Sequence, residues 1–193
     1  MPKHLFFFVG RPSSGKETQA TKLAEKLGYK ILMTGKRFRE IIASGSQLGN
    51  RIKDTYEKGL LMPTWVADYM LEDFLFNLAG EEGAVFEGSG RDLEQAKTIE
   101  KVCEWLGRPY SVINLEVPEE EVIRRAEGRG RDAADSADVM KNRLSEYNKS
   151  TGTAIEYFRS IGKLIAIDGT PSPTAVHEEV MTAVGRIVPQ KVS

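Results

Sequence analysis

The chain has 193 residues, which is long enough for one α/β domain with a sizeable core. Its charges nearly balance, with a formal net charge of −1 and a pI of about 6.2, so nothing favours binding to nucleic acid or to a membrane surface. The lone Cys103 excludes an intramolecular disulfide and a multi-cysteine zinc site, and we expect a buried thiol. The N-terminal apolar run does not fit a signal peptide, and no stretch is long enough to cross a bilayer, so we expect a soluble, cytoplasmic protein.

The first predicted element is a buried parallel strand over residues 5–9, a continuous apolar run bounded by glycine. Apolar residues at helical spacing then predict a helix over 18–27, which Gly28 closes. Thr34 is predicted to cap a helix and Pro63 to open another. The remaining predicted strands are 29–33, 83–86, 110–117 and 164–167. The remaining predicted helices are 48–58, 93–106, 118–127, 139–161 with a break near 151–152, and 174–188.

Strands that alternate with helices predict a doubly wound parallel sheet of about five strands, with ligands at the carboxyl ends of the strands. Residues 1–193 contain no linker or internal repeat, so we expect a single domain. The polar, glycine-rich and charge-rich segment 128–136 is the best candidate for a mobile cover over the ligands.

The turn after the first strand has the spacing of a phosphate-binding loop. Residues 10–19 read G-R-P-S-S-G-K-E-T-Q, which places G-x-x-x-x-G-K between a strand and a helix. In such a loop, backbone N–H groups surround phosphate oxygens and Lys16 reaches further along the phosphates. A chance glycine turn is the alternative, and the agreement of strand, spacing, lysine and helix argues against it. Glu17 occupies the place where the generic motif has Ser or Thr, and the hydroxyl follows at Thr18.

The G-K-x-T-Q ending is the form found in nucleoside monophosphate kinases, and the chain resembles the adenylate kinase family, whose loop reads G-x-P-G-x-G-K-G-T-Q. Five further segments resemble family motifs in matching order. They are T-G-K-R-F-R at 34–39, L-L-M-P at 60–63, E-G-S-G-R-D-L-E-Q-A at 87–96, the V-P…R…G-R pattern at 117–129, and D-G-T-P at 168–171. The resemblance extends from residue 7 to about residue 188. It implies a three-layer fold of the P-loop NTPase type, with an NMP-binding subdomain at 34–63 and a short lid at 128–136 that lacks structural zinc.

The resemblance also implies which residues bind each nucleotide. The implied ATP-binding residues are Ser13, Ser14, Gly15, Lys16, Glu17, Thr18, Arg125, Arg129 and Pro171. The implied AMP-binding residues are Thr34, Arg39, Leu60, Leu61, Met62, Gly88, Ser89, Gly90, Arg91, Gln95, Arg131 and Arg143. Catalysis would fall to Lys16, Arg91, Arg125, Arg131 and Arg143, with Arg129 as an alternative to Arg131. Mg²⁺ would accompany ATP, organised through water by Glu87, although a solvated carboxylate at a strand end is the other interpretation of Glu87.

The sequence departs from the family pattern at Ser13, Glu17, Lys36, Glu87, Ser89 and Gly90. We expect backbone strain at Ser13, where the family has glycine. We expect the Glu17 side chain to turn toward the metal or out to solvent. The Ser89–Gly90 peptide bond replaces the family's Phe-Pro, and we expect it to be trans and to leave Arg91 displaced or looser. Lys36 replaces an aspartate of the magnesium network and reverses its charge.

The leading hypothesis is Mg²⁺-dependent phosphoryl transfer from ATP to AMP, giving two ADP, by a monomeric enzyme. One alternative is the same reaction with UMP or CMP as the acceptor. Thr34 and Gln95 favour adenine as the acceptor base, but the altered wall at Ser89 and Gly90 weakens that inference. The other alternative is a degenerate module of the same fold that binds nucleotide with little turnover. The changes at Glu17, Lys36 and Ser89–Gly90 favour this alternative.

Overall fold

The computed structural model describes residues 3–128 and 137–188, and within them five strands form one sheet. The strands are β1 (Leu5–Gly10), β2 (Lys30–Met33), β3 (Ala84–Glu87), β4 (Tyr110–Glu116) and β5 (Leu164–Asp168). Their order is β2-β3-β1-β4-β5, and every neighbouring pair is parallel. The predicted doubly wound parallel sheet is confirmed.

Helices connect the strands and cover both faces of the sheet. They are α1 (Lys16–Leu27), α2 (Thr34–Ala43), α3 (Gln47–Glu57), α4 (Thr64–Phe76), α5 (Leu93–Trp105), α6 (Glu119–Glu127), α7 (Ala137–Glu146), α8 (Gly152–Ser160) and α9 (Pro173–Ile187). The break predicted near 151–152 is a π-helical segment, Tyr147–Thr151, which joins α7 to α8. None of the helices in the described ranges is long and apolar enough to span a bilayer.

The central strand β1 fixes the position of everything that follows it. All six of its residues are buried, between β3 on one side and β4 on the other. Phe6 and Phe8 pack under α1 and α9, whereas Phe7 stacks on Phe86 with a centroid distance of 4.4 Å on the opposite face. Full burial of each such ring contributes about 1.5–3 kcal/mol. The glycine-rich loop therefore starts from a fully buried strand at the centre of the sheet.

A smaller, separate cluster holds α2, α3 and α4 together. Its buried side chains are Phe38, Ile52, Met62, Val66 and Met70. Of these helices, α2 and α3 lie within the segment 34–63 that the sequence predicts as a subdomain, and that division stays a prediction.

Two local predictions have different outcomes. The capping role predicted for Thr34 is wrong: α2 begins at Thr34 itself, the preceding Met33 provides no side-chain cap, and the buried Thr34 hydroxyl lies 3.3 Å from the Ser89 hydroxyl. The buried thiol is confirmed, since Cys103 is fully buried and its burial raises its pKa to about 12.

Candidate active site

A cavity of about 780 Å³ opens at the carboxyl ends of β1, β2 and β3. Ligands of doubly wound sheets bind at this edge, and the volume lies in the usual range for ligand sites. Most of the predicted site residues line it: Ser13, Gly15, Lys16, Glu17, Thr18, Thr34, Arg39, Leu60, Leu61, Met62, Glu87, Gly88, Ser89, Arg91, Gln95 and Arg143. The fold thus brings the predicted donor and acceptor residues to one space.

The predicted phosphate loop leaves β1 through Gly10, which has φ 139° and passes so close to β4 that an added Cβ would lie 2.7 Å from the Leu115 oxygen. Gly15, at φ 95°, immediately precedes α1, and the first turn of α1 faces the cavity. Its backbone N–H groups are those that lack a partner within a helix, so the wall here suits an anion. The Lys16 ammonium donates to the Arg11 carbonyl at 2.6 Å, within the loop itself.

The expected strain at Ser13 is present in the backbone. With φ 58°, Ser13 is the one non-glycine residue in the described ranges with a left-handed conformation, which costs about 1–2 kcal/mol for a residue with a Cβ. The next residue, Ser14, does not line the cavity and is buried, and its backbone N–H donates to the Arg11 carbonyl at 3.2 Å. Ser14 therefore shapes the loop through its backbone.

Glu17 and Lys36 both lie on the cavity wall with exposed side chains. Glu17 is in the first turn of α1, where the helix dipole favours an acidic side chain. We expect the Glu17 side chain to turn either toward the metal or out to solvent, and its exposure agrees with the second possibility. Lys36 is in the first turn of α2, so the wall carries a carboxylate and an ammonium at positions where the family pattern has glycine and aspartate.

The loop 87–91, which the resemblance assigns to the acceptor, is held by the buried side chain of Gln95. The Gln95 side-chain oxygen accepts from the backbone N–H groups of Gly90 and Arg91, both at 3.1 Å, and its amide donates to Asp92 at 2.9 Å. The Arg91 Nε donates to the Gly88 carbonyl at 3.0 Å. The peptide bonds of the described residues are all trans, as expected for Ser89–Gly90. Arg91 lines the cavity with its Nε and backbone N–H both hydrogen-bonded, and the expectation that it is displaced or looser stays a prediction.

Sequence reasoning missed several residues of this wall. Tyr56 accepts from Arg39 Nη1 at 2.9 Å and donates to the Gly35 carbonyl at 3.3 Å, which fixes the arginine against α3. Thr151 donates to the Arg91 carbonyl at 2.9 Å. Neither residue belongs to a motif of the resemblance. The break predicted near residue 151 was the one available signal, because π-helical segments occur frequently at functional sites.

Arg125 and Pro171 lie outside this cavity. Arg125 donates to Glu121 at 2.7 Å and to the Thr170 carbonyl at 3.0 Å, so α6 meets the turn that carries Pro171. Hydrogen bonds from Arg124 and Arg125 lower the pKa of the Glu121 carboxyl to about 2. Gly90 also does not line the cavity. Arg129, Arg131 and residues 129–136 of the predicted lid lie outside the described residues.

In the part of the chain that the structure describes, the carboxylates on the cavity wall are those of Glu17, Glu87 and Glu146. Glu87 ends β3 and is half-buried, as predicted for a strand-end acid. Among the described residues, no group of three or more histidine, cysteine or acidic side chains could hold a metal ion alone. Mg²⁺ usually binds through one or two carboxylates together with substrate phosphates, and Glu87 beside the phosphate loop fits that pattern.

Comparison with known proteins agrees with this arrangement. A family model described as adenylate kinase matches residues 8–163. The chain is 37% identical to an adenylate kinase of Thermus thermophilus over 183 residues, which cover 92% of this chain and 95% of the relative. It is 36% identical to adenylate kinase 1 of Synechocystis sp. over 170 residues, 88% and 90% of the two chains, and 35% identical to an adenylate kinase of Mycobacterium tuberculosis over 179 residues, 92% and 97%. The chain belongs to the adenylate kinase family.

Proposed function

We propose that the protein catalyses Mg²⁺-dependent phosphoryl transfer from ATP to AMP, giving two ADP. The observation that carries the proposal is the single cavity in which Lys16 and the first turn of α1 share a wall with Thr34, Arg91 and Gln95. One chain holds both sets of residues, so the enzyme needs no second subunit for the reaction. We expect it to act as a monomer in the cytoplasm, where its substrates are metabolites.

Phosphoryl transfer requires two nucleotides held in line and positive charge around the moving group. In the proposal, the loop amides and Lys16 hold the donor phosphates. Arg91 and Arg143, which lie on the same cavity wall, stabilise the charge that develops during transfer. Arg125, with Arg131 or Arg129, completes the arginine set, and Arg125 together with Pro171 borders the donor base.

Mg²⁺, bound to the phosphate oxygens, supplies further charge neutralisation when it is present. Glu87 is the residue of this chain that would hold it, through water. Its half-buried position at the end of β3 keeps a carboxylate close to the phosphate loop, because β3 and β1 are neighbours with Phe8 beside Glu87 in the register.

The acceptor assignment depends on the wall formed by Thr34, Ser89 and Gln95. The Thr34 and Ser89 hydroxyls are within 3.3 Å of each other and buried, and either can donate or accept. The Gln95 oxygen already accepts two backbone hydrogen bonds and one amide N–H donates to Asp92, so the second N–H of the amide is the group that remains for a base edge. AMP is the proposed acceptor, and UMP or CMP is the alternative that this wall does not sterically reject, since serine replaces the bulky family phenylalanine.

The deciding experiment incubates the protein with ATP, Mg²⁺ and each of AMP, UMP, CMP and GMP, and follows formation of the diphosphates. We expect ADP formation with AMP and a specificity constant for AMP at least tenfold above the others. A higher constant for UMP or CMP would change the acceptor. Tight ATP binding with no diphosphate formed from any acceptor would instead identify a nucleotide-binding module, which the unusual charges at Glu17 and Lys36 favour.

A further inference from the structure

Arg11 occupies the second position of the phosphate loop, where the motif specifies no side chain. Its side chain is half-buried under the loop. Nη1 donates to the Val117 carbonyl at 3.1 Å, and the guanidinium lies over the Tyr147 ring, with its carbon 5.2 Å from the centroid. The Arg11 carbonyl accepts from Lys16 Nζ at 2.6 Å and from the Ser14 N–H at 3.2 Å. One residue thus holds the loop lysine with its backbone and two distant elements with its side chain.

The two anchors of Arg11 belong to the elements that carry the other arginines. Val117 is buried between β4 and α6, the helix of Arg125. Tyr147 begins the π-helical segment directly after α7, one helical turn beyond Arg143, and lines the same cavity as Arg143 and Lys16. A displacement of the Arg11 guanidinium would therefore reach the loop, α6 and the end of α7 together.

We propose that Arg11 is a positioning residue for phosphoryl transfer, which orients Lys16 and couples the phosphate loop to the helices that carry Arg125 and Arg143. This inference rests on the proposed function. The Arg11 guanidinium contacts the Val117 carbonyl and the Tyr147 ring, neither of which is a predicted catalytic group, so Arg11 acts through the position of Lys16.

The geometry requires arginine rather than any cation. A planar guanidinium can donate within its plane to a carbonyl while one face stacks on an aromatic ring, and a lysine ammonium lacks this combination. Within the described ranges Arg11 has no recorded ion pair, and its Nε is buried without a hydrogen-bond partner. The carbonyl of Val117 and the ring of Tyr147 are therefore the contacts that hold the guanidinium in place.

The test compares Arg11→Gln, Arg11→Lys and Tyr147→Leu with a matched control, Arg186→Gln, which makes the same chemical change on the exposed side of α9. Affinity for ATP is measured by calorimetry without AMP, and kcat and both KM values by a coupled assay. We expect Arg11→Gln to weaken ATP binding and to lower kcat by about tenfold each, with KM for AMP within twofold of the wild type. Arg11→Lys should resemble Arg11→Gln, because it keeps the charge and loses the geometry, and Arg186→Gln should match the wild type.

Tyr147→Leu should reproduce the weaker ATP binding. The double variant should be no worse than Arg11→Gln alone, because both changes remove the same contact between the Arg11 guanidinium and the Tyr147 ring. Unchanged ATP affinity and kcat in Arg11→Gln would overturn the inference. Wild-type activity in Arg11→Lys would also overturn it. So would equal changes in both KM values of Arg11→Gln together with a lowered Tm, because they would indicate a general structural defect. If Arg11→Gln does not fold, Tyr147→Leu decides by the same criteria. If the wild-type protein binds ATP without turnover, the proposed function is refuted. The role of Arg11 is then tested separately, by comparing the ATP affinities of the wild type and the Arg11 variants.

Discussion

The proposed donor and acceptor sides of the cavity are built in different ways. The donor side is a backbone structure, in which Gly10 and Gly15 shape a loop between the central strand and α1. The acceptor side is a set of side chains that hold one another, as Gln95 holds the Arg91 backbone and Tyr56 holds Arg39. A site made of amides keeps its geometry when exposed side chains change. A site made of paired side chains loses its geometry when either partner is substituted. Substitutions on the two sides should therefore have different kinds of effect.

The largest expected effect is that of Lys16→Ala, which removes the ammonium that the proposal places at the donor phosphates. Loss of a single charge-stabilising donor typically costs a hundredfold to a thousandfold in kcat. We expect a loss of at least about a hundredfold in the coupled assay with the circular dichroism spectrum and Tm unchanged, because Lys16 is at the surface of the loop rather than in the core. Turnover within tenfold of the wild type would contradict the role given to Lys16.

On the acceptor side, Arg91→Ala should raise KM for AMP and lower kcat, by about tenfold to a hundredfold in kcat/KM, while direct binding of ATP stays within threefold. The reason is that Arg91 is fixed by Gly88, Gln95 and Thr151 on the acceptor wall. Arg37→Ala is the matched control, because Arg37 is exposed and pairs with Glu40 on α2. Equal losses for both nucleotides would show that the two sides are not separable in this way.

Sequence reasoning predicted the fold almost completely, because hydrophobic periodicity and the alternation of strands and helices are local signals. The resemblance to the adenylate kinase family indicated most of the cavity wall, and the motifs that carry it lie together because the carboxyl ends of parallel strands meet at one edge of the sheet. Tyr56 and Thr151 escaped it, because their roles come from tertiary hydrogen bonds between distant segments. The capping role predicted for Thr34 is wrong for the same reason. Local propensity favours a helix cap at Thr34, but its hydroxyl instead contacts that of Ser89, 55 residues away in the sequence.

A smaller effect is expected for Ser13→Gly, which tests the tolerance of the donor side. Glycine relieves the left-handed strain of about 1–2 kcal/mol at Ser13, but it also gains entropy in the unfolded chain, which offsets up to about 1 kcal/mol. We expect a net stabilisation of up to about 1 kcal/mol, seen as a rise in Tm of about 2–4 °C for a domain of this size, with kcat within threefold of the wild type. Ser44→Gly, at an exposed position with an ordinary φ of −69°, is the control that should not raise Tm.

The smallest effect should be that of Glu17→Gln, which removes the negative charge next to Lys16 without the backbone freedom of glycine. At about 5 Å, one charge pair is worth about 0.8 kcal/mol in water and about 3 kcal/mol at an effective dielectric of 20. Because Glu17 is exposed, the first value applies, and ATP affinity should rise by no more than about fivefold, less at high salt. Titration calorimetry at low and high ionic strength measures this. A rise of two orders of magnitude, insensitive to salt, would mean that the carboxylate is directed at the phosphates, and the donor side would then depend on a side chain as much as the acceptor side does.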